Sequence, residues 1–164
     1  MKWEWGNIVI YPQDYLSLDQ HQWITDTIIE FWYEWLEQED HWGYLRPALV
    51  HWLAHAVMDG SFVPPQKTLD RPLVFIPIND NEDDAPGGTH WSLAVFHRSS
   101  LSFYYYDSLG DYNLNTAKRT CKRLASWLVK GDVGRIMRRA HTNRTVFCSC
   151  GNTQADQWCA LGMI

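Results

Sequence analysis

Residues 86–96, which read Pro-Gly-Gly-Thr-His-Trp-Ser-Leu-Ala-Val-Phe, constrain the fold of this chain more than any other stretch. Aromatic and apolar residues predominate in 91–97 and in 101–106, which is typical of β-strands, and the Arg-Ser-Ser between them predicts a hairpin turn. His90 comes just before the first strand, and Asp107 comes just after the second. A hairpin therefore places an imidazole and a carboxylate near the same end of adjacent strands.

This juxtaposition supplies two members of a nucleophile–histidine–aspartate group. Asp107 can accept a hydrogen bond from one ring nitrogen of His90, which fixes the tautomer and leaves the other nitrogen free as a base. The third member would be a cysteine near the C-terminus, where Cys148, Cys150 and Cys159 lie. On spacing alone, a structural histidine beside an unrelated turn aspartate is the competing interpretation.

The rest of the chain predicts an α+β fold in a single domain that spans residues 1–164. Apolar residues at helical spacing indicate helices, a continuous apolar run indicates a buried strand, and polar segments with Gly or Pro indicate loops. Thr27-Ile-Ile-Glu30 has the form of a capping box at a helix start. The predicted elements are helices over 27–38, 47–58 and 114–128, a strand over 73–78, loops over 61–70 and 79–88, and one further strand within 135–147.

Composition and charge argue against several classes of protein. No run of about eighteen apolar residues occurs, so no transmembrane helix is predicted, and the N-terminus lacks the pattern of a signal peptide. We therefore expect the protein in the cytoplasm or the nucleus, where cysteines stay reduced. The basic cluster at 118–123 lacks interleaved aromatic residues, so no nucleic-acid partner is expected. No cofactor is indicated.

Four stretches match a known pattern: Leu-Asp-Gln-His-Gln-Trp-Ile-Thr-Asp-Thr-Ile-Ile-Glu-Phe at 18–31, Phe-Ile-Pro-Ile-Asn-Asp-Asn at 75–81, Gly-Gly-Thr-His-Trp-Ser-Leu at 87–93 and Tyr-Asp-Ser at 106–108. Together with residues 116–128 of the last predicted helix, they resemble the ubiquitin-like-protein-specific cysteine proteases of the sentrin-specific (Ulp) type. Within that family the similarity is to the deneddylase branch. The resemblance covers residues 15–130 and implies a papain-like α+β protease fold.

The resemblance implies roles for five residues. His90 would be the catalytic base, and Asp107 would orient it. Trp23 and Trp91 resemble aromatic residues that wall a narrow tunnel over the modifier's Gly-Gly tail, which suits glycine because it lacks a Cβ. Core packing is the competing interpretation for both tryptophans. Asp26 resembles an acidic residue that faces an arginine of the modifier, and an aspartate favoured by the helix dipole is equally consistent.

The position of the nucleophile is ambiguous. Family members carry a Gln, a short spacer, and then Asp-Cys-Gly-Met at the start of an apolar helix. The favoured alignment matches Gln154 to the oxyanion-binding Gln and Cys159 to the nucleophile, with Trp158 in place of the Asp. A second alignment uses Ser-Cys-Gly around Cys150 but lacks the Gln, and a third places Leu161 at the nucleophile position. Because five residues follow Cys159, we expect the family's C-terminal helices to be truncated.

These features leave three functions open. The first is a cysteine protease or isopeptidase that removes or processes a ubiquitin-like modifier without a metal, with deneddylation favoured and removal of SUMO as the alternative. The second is a pseudoprotease that binds a ubiquitin-like protein without cleaving it. The third is a structural metal site, for which the candidate ligands are His141, Cys148, Cys150 and Cys159. Separately, His51 and His55 form an i, i+4 pair that could bind a metal, but no partner ligand is evident and a pair on the helix surface is favoured.

Overall fold

Helices and strands follow one another in an order that agrees with the predicted α+β class. A computed structural model describes residues 2–39, 41–55, 65–82 and 87–128. In chain order the elements are β1 (Trp3–Trp5), β2 (Ile8–Ile10), α1 (Pro12–Leu16), α2 (Asp26–Glu39), β3 (Gly43–Tyr44), α3 (Pro47–His55), α4 (Gln66–Leu69), β4 (Leu73–Asn79), β5 (Trp91–His97), β6 (Ser102–Tyr106) and α5 (Leu114–Leu128). Among the described residues, no helix has both the length and the apolar character that a membrane crossing requires.

Four strands form the central sheet, in the order β3-β4-β5-β6. β3 runs parallel to β4, whereas β4, β5 and β6 pair antiparallel. Asn79 pairs with Trp91 at one end of the β4–β5 ladder, and Leu93 pairs with Tyr106 at the same end of the β5–β6 ladder. The residues that follow β4, precede β5 and follow β6 therefore meet at one edge of the sheet.

The two faces of the sheet carry different parts of the core, because side chains alternate along each strand. Even-numbered residues of β4 and β5, such as Ile76 and Phe96, join the cluster that includes buried residues of α3 and α5. Odd-numbered residues such as Phe75 and Trp91 pack with residues of α2 instead. Since both faces are covered, β5 is buried at six of its seven positions, which explains its nearly continuous apolar sequence.

Both long helices form where the apolar spacing predicts them. α5 covers Leu114–Leu128, the stretch whose apolar spacing predicts it, and α2 extends the predicted 27–38 by one residue at each end. The capping-box prediction at Thr27 is wrong, because the carbonyl of Thr25 already accepts hydrogen bonds from the N–H groups of Ile28 and Ile29. Thr27 therefore lies inside the helix and is not its N-cap.

Short elements are where the prediction and the structure differ. The predicted loop at 61–70 contains α4, and β1, β2, β3 and α1 are not predicted at all. Each spans five residues or fewer, which is too short for either periodicity to repeat. The end of the helix predicted over 47–58 and the strand predicted within 135–147 lie outside the described residues.

Candidate active site

His90 and Asp107 lie side by side at the edge of the sheet, where the hairpin is expected to bring them. The β5–β6 ladder ends with the pair Leu93 and Tyr106. The residues just before β5 and just after β6 therefore lie at the same edge of the sheet. His90 Nε2 and Asp107 Oδ1 are 2.5 Å apart, and the two side chains are only 1% and 0% exposed. A short hydrogen bond in a site without bulk water holds the imidazole in one orientation.

Four donors converge on the carboxylate of Asp107. Its Oδ1 accepts from His90 Nε2 and, at 2.9 Å, from the backbone N–H of Leu109. Its Oδ2 accepts from the Tyr105 hydroxyl and, at 3.1 Å, from the backbone N–H of Asn113. Burial raises the pKa of Asp107, but the hydrogen bonds that it accepts outweigh burial and hold the pKa below its ordinary value. The side chain is therefore ionised at neutral pH.

The second ring nitrogen of His90, Nδ1, is buried and has no hydrogen-bond partner among the described residues. Because an ionised carboxylate can only accept, the ring nitrogen bonded to Asp107 must carry a proton. In the neutral ring, Nδ1 then holds a lone pair that can take a proton from a nucleophile. Tyr112 makes a T-shaped contact with the His90 ring, with centroids 5.5 Å apart, and this contact helps to hold the ring in place.

A second acidic residue, Asp80, holds the backbone that leads into His90. Its carboxylate accepts from the Thr89 N–H at 2.6 Å, from the Thr89 hydroxyl at 2.7 Å and from the His90 N–H at 3.0 Å. Burial raises the pKa of Asp80, but these hydrogen bonds outweigh it and leave the pKa below its ordinary value. Gly88 precedes this segment with φ +96°, and a Cβ there would collide with Asn79 Oδ1. Only glycine fits at this turn.

The two tryptophans that the resemblance links to a substrate tunnel have different surroundings. Trp91 is buried in the cluster against α2, and its Nε1 donates to the carbonyl of Ile24 at 3.0 Å. Trp23, the neighbour of Ile24, is 52% exposed. The Trp91 hydrogen bond thus ties the segment that carries Trp23 to the strand that follows His90. A tunnel role for both tryptophans stays a prediction, and Trp23 is the one that presents its surface.

Asp26 is the first residue of α2, and its surface is exposed. A carboxylate at the N-terminus of a helix is stabilised by the helix dipole, as the structural interpretation expects. The same exposure leaves the carboxylate accessible to a basic partner three residues along the chain from Trp23. Its contact with a modifier stays a prediction.

The residues of the nucleophile alignments lie outside the described part of the chain. They are Gln154, Cys159, Trp158, Cys150 and Leu161, and the same holds for His141 and Cys148 of the proposed metal site. The remaining cysteine, Cys121, is buried in α5, and burial raises the pKa of its thiol to about 12. A thiol with so high a pKa is poorly suited to act as a nucleophile.

His51 and His55 are neighbours on α3, with ring centroids 4.6 Å apart. Burial, followed by the proximity of His51, lowers the pKa of His55. Within the described ranges, no three His, Cys, Asp or Glu side chains are grouped so that they could hold a metal ion. The described residues therefore provide no third ligand for this pair.

Three residues of the site are not singled out by the sequence: Asp80, Tyr105 and Asn113. Asp80 lies in an Asn-Asp-Asn segment whose composition predicts only a turn. Tyr105 lies two residues before Asp107, at the strand period, but nothing in the sequence shows that its hydroxyl turns back to the carboxylate, and Asn113 lies six residues after Asp107 in a loop. Their shared acceptor and their contacts with other strands become visible only in the folded chain.

A buried histidine that is oriented by an aspartate is the arrangement with which one class of hydrolases activates a nucleophile. Residues 22–139 match the family model described as "Ulp1 protease family, C-terminal catalytic domain". The chain therefore belongs to the Ulp1 protease family. This agrees with the resemblance found in the sequence.

Curated relatives and a solved structure support the same assignment. Sentrin-specific protease 8 of Homo sapiens is 33% identical over 134 residues, which cover 76% of this chain and 63% of that protein. NEDD8-specific protease 2 of Schizosaccharomyces pombe is 33% identical over 142 residues, which cover 79% of this chain and 34% of that protein. The chain thus spans less than two thirds of these relatives.

The fold also matches a solved structure of the C-terminal Ulp1 protease domain in complex with Smt3, the yeast ortholog of SUMO. The TM-score is 0.63 at 18% sequence identity, and the match covers 98% of this chain and 71% of that chain. The predicted α+β fold of the papain-like Ulp type is therefore confirmed.

Proposed function

We propose that this chain is part of a deneddylating cysteine protease, which cleaves the bond that follows the C-terminal glycine of the modifier NEDD8. The observation that carries the proposal is the buried hydrogen bond between His90 and Asp107, which leaves Nδ1 of His90 without a partner in the described part of the chain. The choice of modifier is supported by the relative named as a NEDD8-specific protease.

In the proposed reaction, the thiol of Cys159 gives its proton to Nδ1 of His90, and the thiolate attacks the carbonyl carbon of the modifier's last glycine. The side chain of Gln154 and the backbone N–H of Cys159 stabilise the oxyanion. His90 returns the proton to the leaving amine as the C–N bond breaks and a thioester remains. Water, deprotonated by His90, then hydrolyses the thioester and restores the thiol. Asp107 stabilises the imidazolium throughout.

The substrate side of the proposal uses Trp23, Trp91 and Asp26. The indoles would line the path of the Gly-Gly tail, and the exposed carboxylate of Asp26 would bind a basic residue of the modifier. SUMO is the alternative modifier, since the Ulp1 domain that shares this fold was solved with a SUMO ortholog. We also propose that the protein acts in the cytoplasm or the nucleus, where thiols stay reduced.

The test uses NEDD8 and SUMO that each carry an electrophile in place of the C-terminal glycine, mixed with the 164-residue chain. We expect a covalent adduct with the NEDD8 probe, detected by mass spectrometry, and little with the SUMO probe. Cys159→Ala and His90→Ala should abolish or strongly slow adduct formation, since removing a general base costs a rate factor of about 100 or more. Cys121→Ala is the matched control, and it should leave the adduct unchanged because this thiol is buried.

Other outcomes of this assay would support the alternative nucleophile, the alternative modifier or a pseudoprotease. An adduct that survives in Cys159→Ala but is lost in Cys150→Ala moves the nucleophile to the second alignment. Faster labelling by the SUMO probe would show that SUMO, and not NEDD8, is the preferred modifier. Binding of NEDD8 without an adduct indicates a pseudoprotease, and absence of binding to both modifiers overturns the proposal.

A further inference from the structure

Asn113 joins the chain segments that carry the candidate site. It is 2% exposed and immediately precedes α5, where its carbonyl accepts the N–H of Ala117 at 2.9 Å. Its side-chain Nδ2 donates to the carbonyl of Ile78 at 3.4 Å and to the carbonyl of His90 at 3.3 Å. Its backbone N–H donates to Asp107 Oδ2 at 3.1 Å. One residue thus connects β4, the start of β5, the end of β6 and α5.

The two acceptors, the carbonyls of Ile78 and His90, determine which side chain at position 113 can bond to both. Both are backbone carbonyls, so the side chain of Asn113 must offer two N–H donors toward them, and a primary amide does so without carrying a charge. A carboxylate of the same shape would set negative oxygens against both carbonyls. A serine hydroxyl would offer a single donor on a shorter side chain, although serine is a good helix N-cap.

The sheet itself does not fix the spacing between the base and its acid. The β5–β6 ladder runs from His97 and Ser102 to Leu93 and Tyr106, so it stops short of both His90 and Asp107. Asn113 bonds to both residues beyond that point, through its amide on one side and its backbone N–H on the other.

We propose that Asn113 is a positioning residue, which holds His90 and Asp107 at the separation that their hydrogen bond requires. Its catalytic meaning rests on the proposed function, but its geometric claim can be tested without activity. The residue does not touch a reacting atom. It acts through the backbone of His90 and the carboxylate of Asp107.

The first experiment needs no variant. In a ¹⁵N-labelled sample of the full 164-residue chain, the exchange of side-chain NH₂ protons with solvent is measured by NMR. Asn115, two residues away and exposed, is the internal reference. We expect the Asn113 amide protons to exchange at least about tenfold more slowly than those of Asn115, because two hydrogen bonds to buried carbonyls must open first. Equal exchange rates overturn the proposal.

The second experiment compares Asn113→Ser with Ala125→Gly. The serine keeps a helix cap but removes the two-donor amide, and the glycine lowers helix stability on α5 far from the site. The readout is the downfield proton resonance of His90 Nε2–H, which a short hydrogen bond to a carboxylate produces. We expect the resonance to shift or broaden in Asn113→Ser and to stay in place in Ala125→Gly.

Kinetics separate this inference from the proposed function. In an assay of repeated cleavage of a NEDD8 substrate, we expect Asn113→Ser to lower kcat about tenfold to a hundredfold through a misplaced base, with KM nearly unchanged. An inactive wild-type chain would count against the proposed function, while the exchange rates and the His90 resonance would still decide the role of Asn113. An unchanged resonance in Asn113→Ser would refute that role.

Discussion

Replacing Asp107 by asparagine tests the hydrogen-bond network at its centre. The carboxylate accepts four hydrogen bonds, and the amide that replaces it in Asp107→Asn would offer one oxygen acceptor and one NH₂ donor. If the amide oxygen faces His90 and Leu109, the NH₂ group faces Tyr105 and Asn113. The tyrosine hydroxyl can rotate to accept, but the Asn113 N–H cannot, so one buried donor is left unsatisfied.

The magnitude of the effect follows from this geometry. A buried donor without an acceptor costs about 1–3 kcal/mol, and losing the charge from the remaining hydrogen bonds adds about 1 kcal/mol. We therefore expect the free energy of unfolding of Asp107→Asn to be about 2–4 kcal/mol lower than that of the wild-type chain at pH 7.

The same network makes the stability difference between Asp107→Asn and the wild-type chain depend on pH. The folded-state pKa of Asp107 lies below its ordinary value, and an unfolded aspartate titrates near about 3.9. The carboxylate therefore stabilises the folded chain fully above the unfolded pKa, and this stabilisation is lost as the pH falls through the folded pKa. Asparagine does not titrate, so the gap between the two chains should narrow as the pH is lowered.

Urea unfolding of both chains at pH 7 and at pH 3 measures the gap. Asp111→Asn is the matched control, because Asp111 lies in the same loop but is exposed, and it should change stability by less than about 0.5 kcal/mol. A gap for Asp107→Asn below about 1 kcal/mol at pH 7, or a gap that stays constant down to pH 3, would refute the reasoning.

Three further predictions concern the rest of the described structure. Urea unfolding should show that Gly88→Ala lowers the free energy of unfolding by about 2–4 kcal/mol, because the added Cβ collides with Asn79. Gly110 has φ +77° and open space around it, so Gly110→Ala should lower this free energy by only about 1 kcal/mol, and equal losses would contradict the prediction. Thr120→Val should raise the melting temperature by removing a buried hydroxyl that has no partner among the described residues, with a gain of about 1 kcal/mol, and a fall would show that the hydroxyl is bonded. Burial raises the thiol pKa of Cys121 to about 12, so this cysteine should resist iodoacetamide at pH 8 until urea is added. Labelling of Cys121 in the native chain, detected by mass spectrometry of its peptide, would contradict the prediction.

The hairpin and the long helices could be predicted because their signals are local and repeat. The runs of β-forming residues at 91–97 and 101–106 span two full strands, and α5 repeats its apolar spacing over four turns. The elements that escaped prediction are too short to repeat, and the capping box at Thr27 was outweighed by the turn at Thr25, whose hydroxyl bonds to Asp14 of the preceding helix α1.

The candidate site divides in the same way. His90 and Asp107 are joined by one hairpin, so their meeting could be predicted from residues that are close in sequence. Asp80 reaches the backbone of His90 from the end of β4, and Trp91 bonds to Ile24, which lies 67 residues earlier in the chain. Neither contact has a signature in the spacing of residues.

By itself, the sequence determined which strands pair in the hairpin, where the longer helices form, and that an imidazole and a carboxylate share one end of the sheet. Only the tertiary structure decided that Asp107 is an ionised acceptor of four donors and that Asn113 ties its loop to His90. The physical reason is that strand and helix periodicity acts between near neighbours, whereas a buried polar group must find its partners wherever packing brings them.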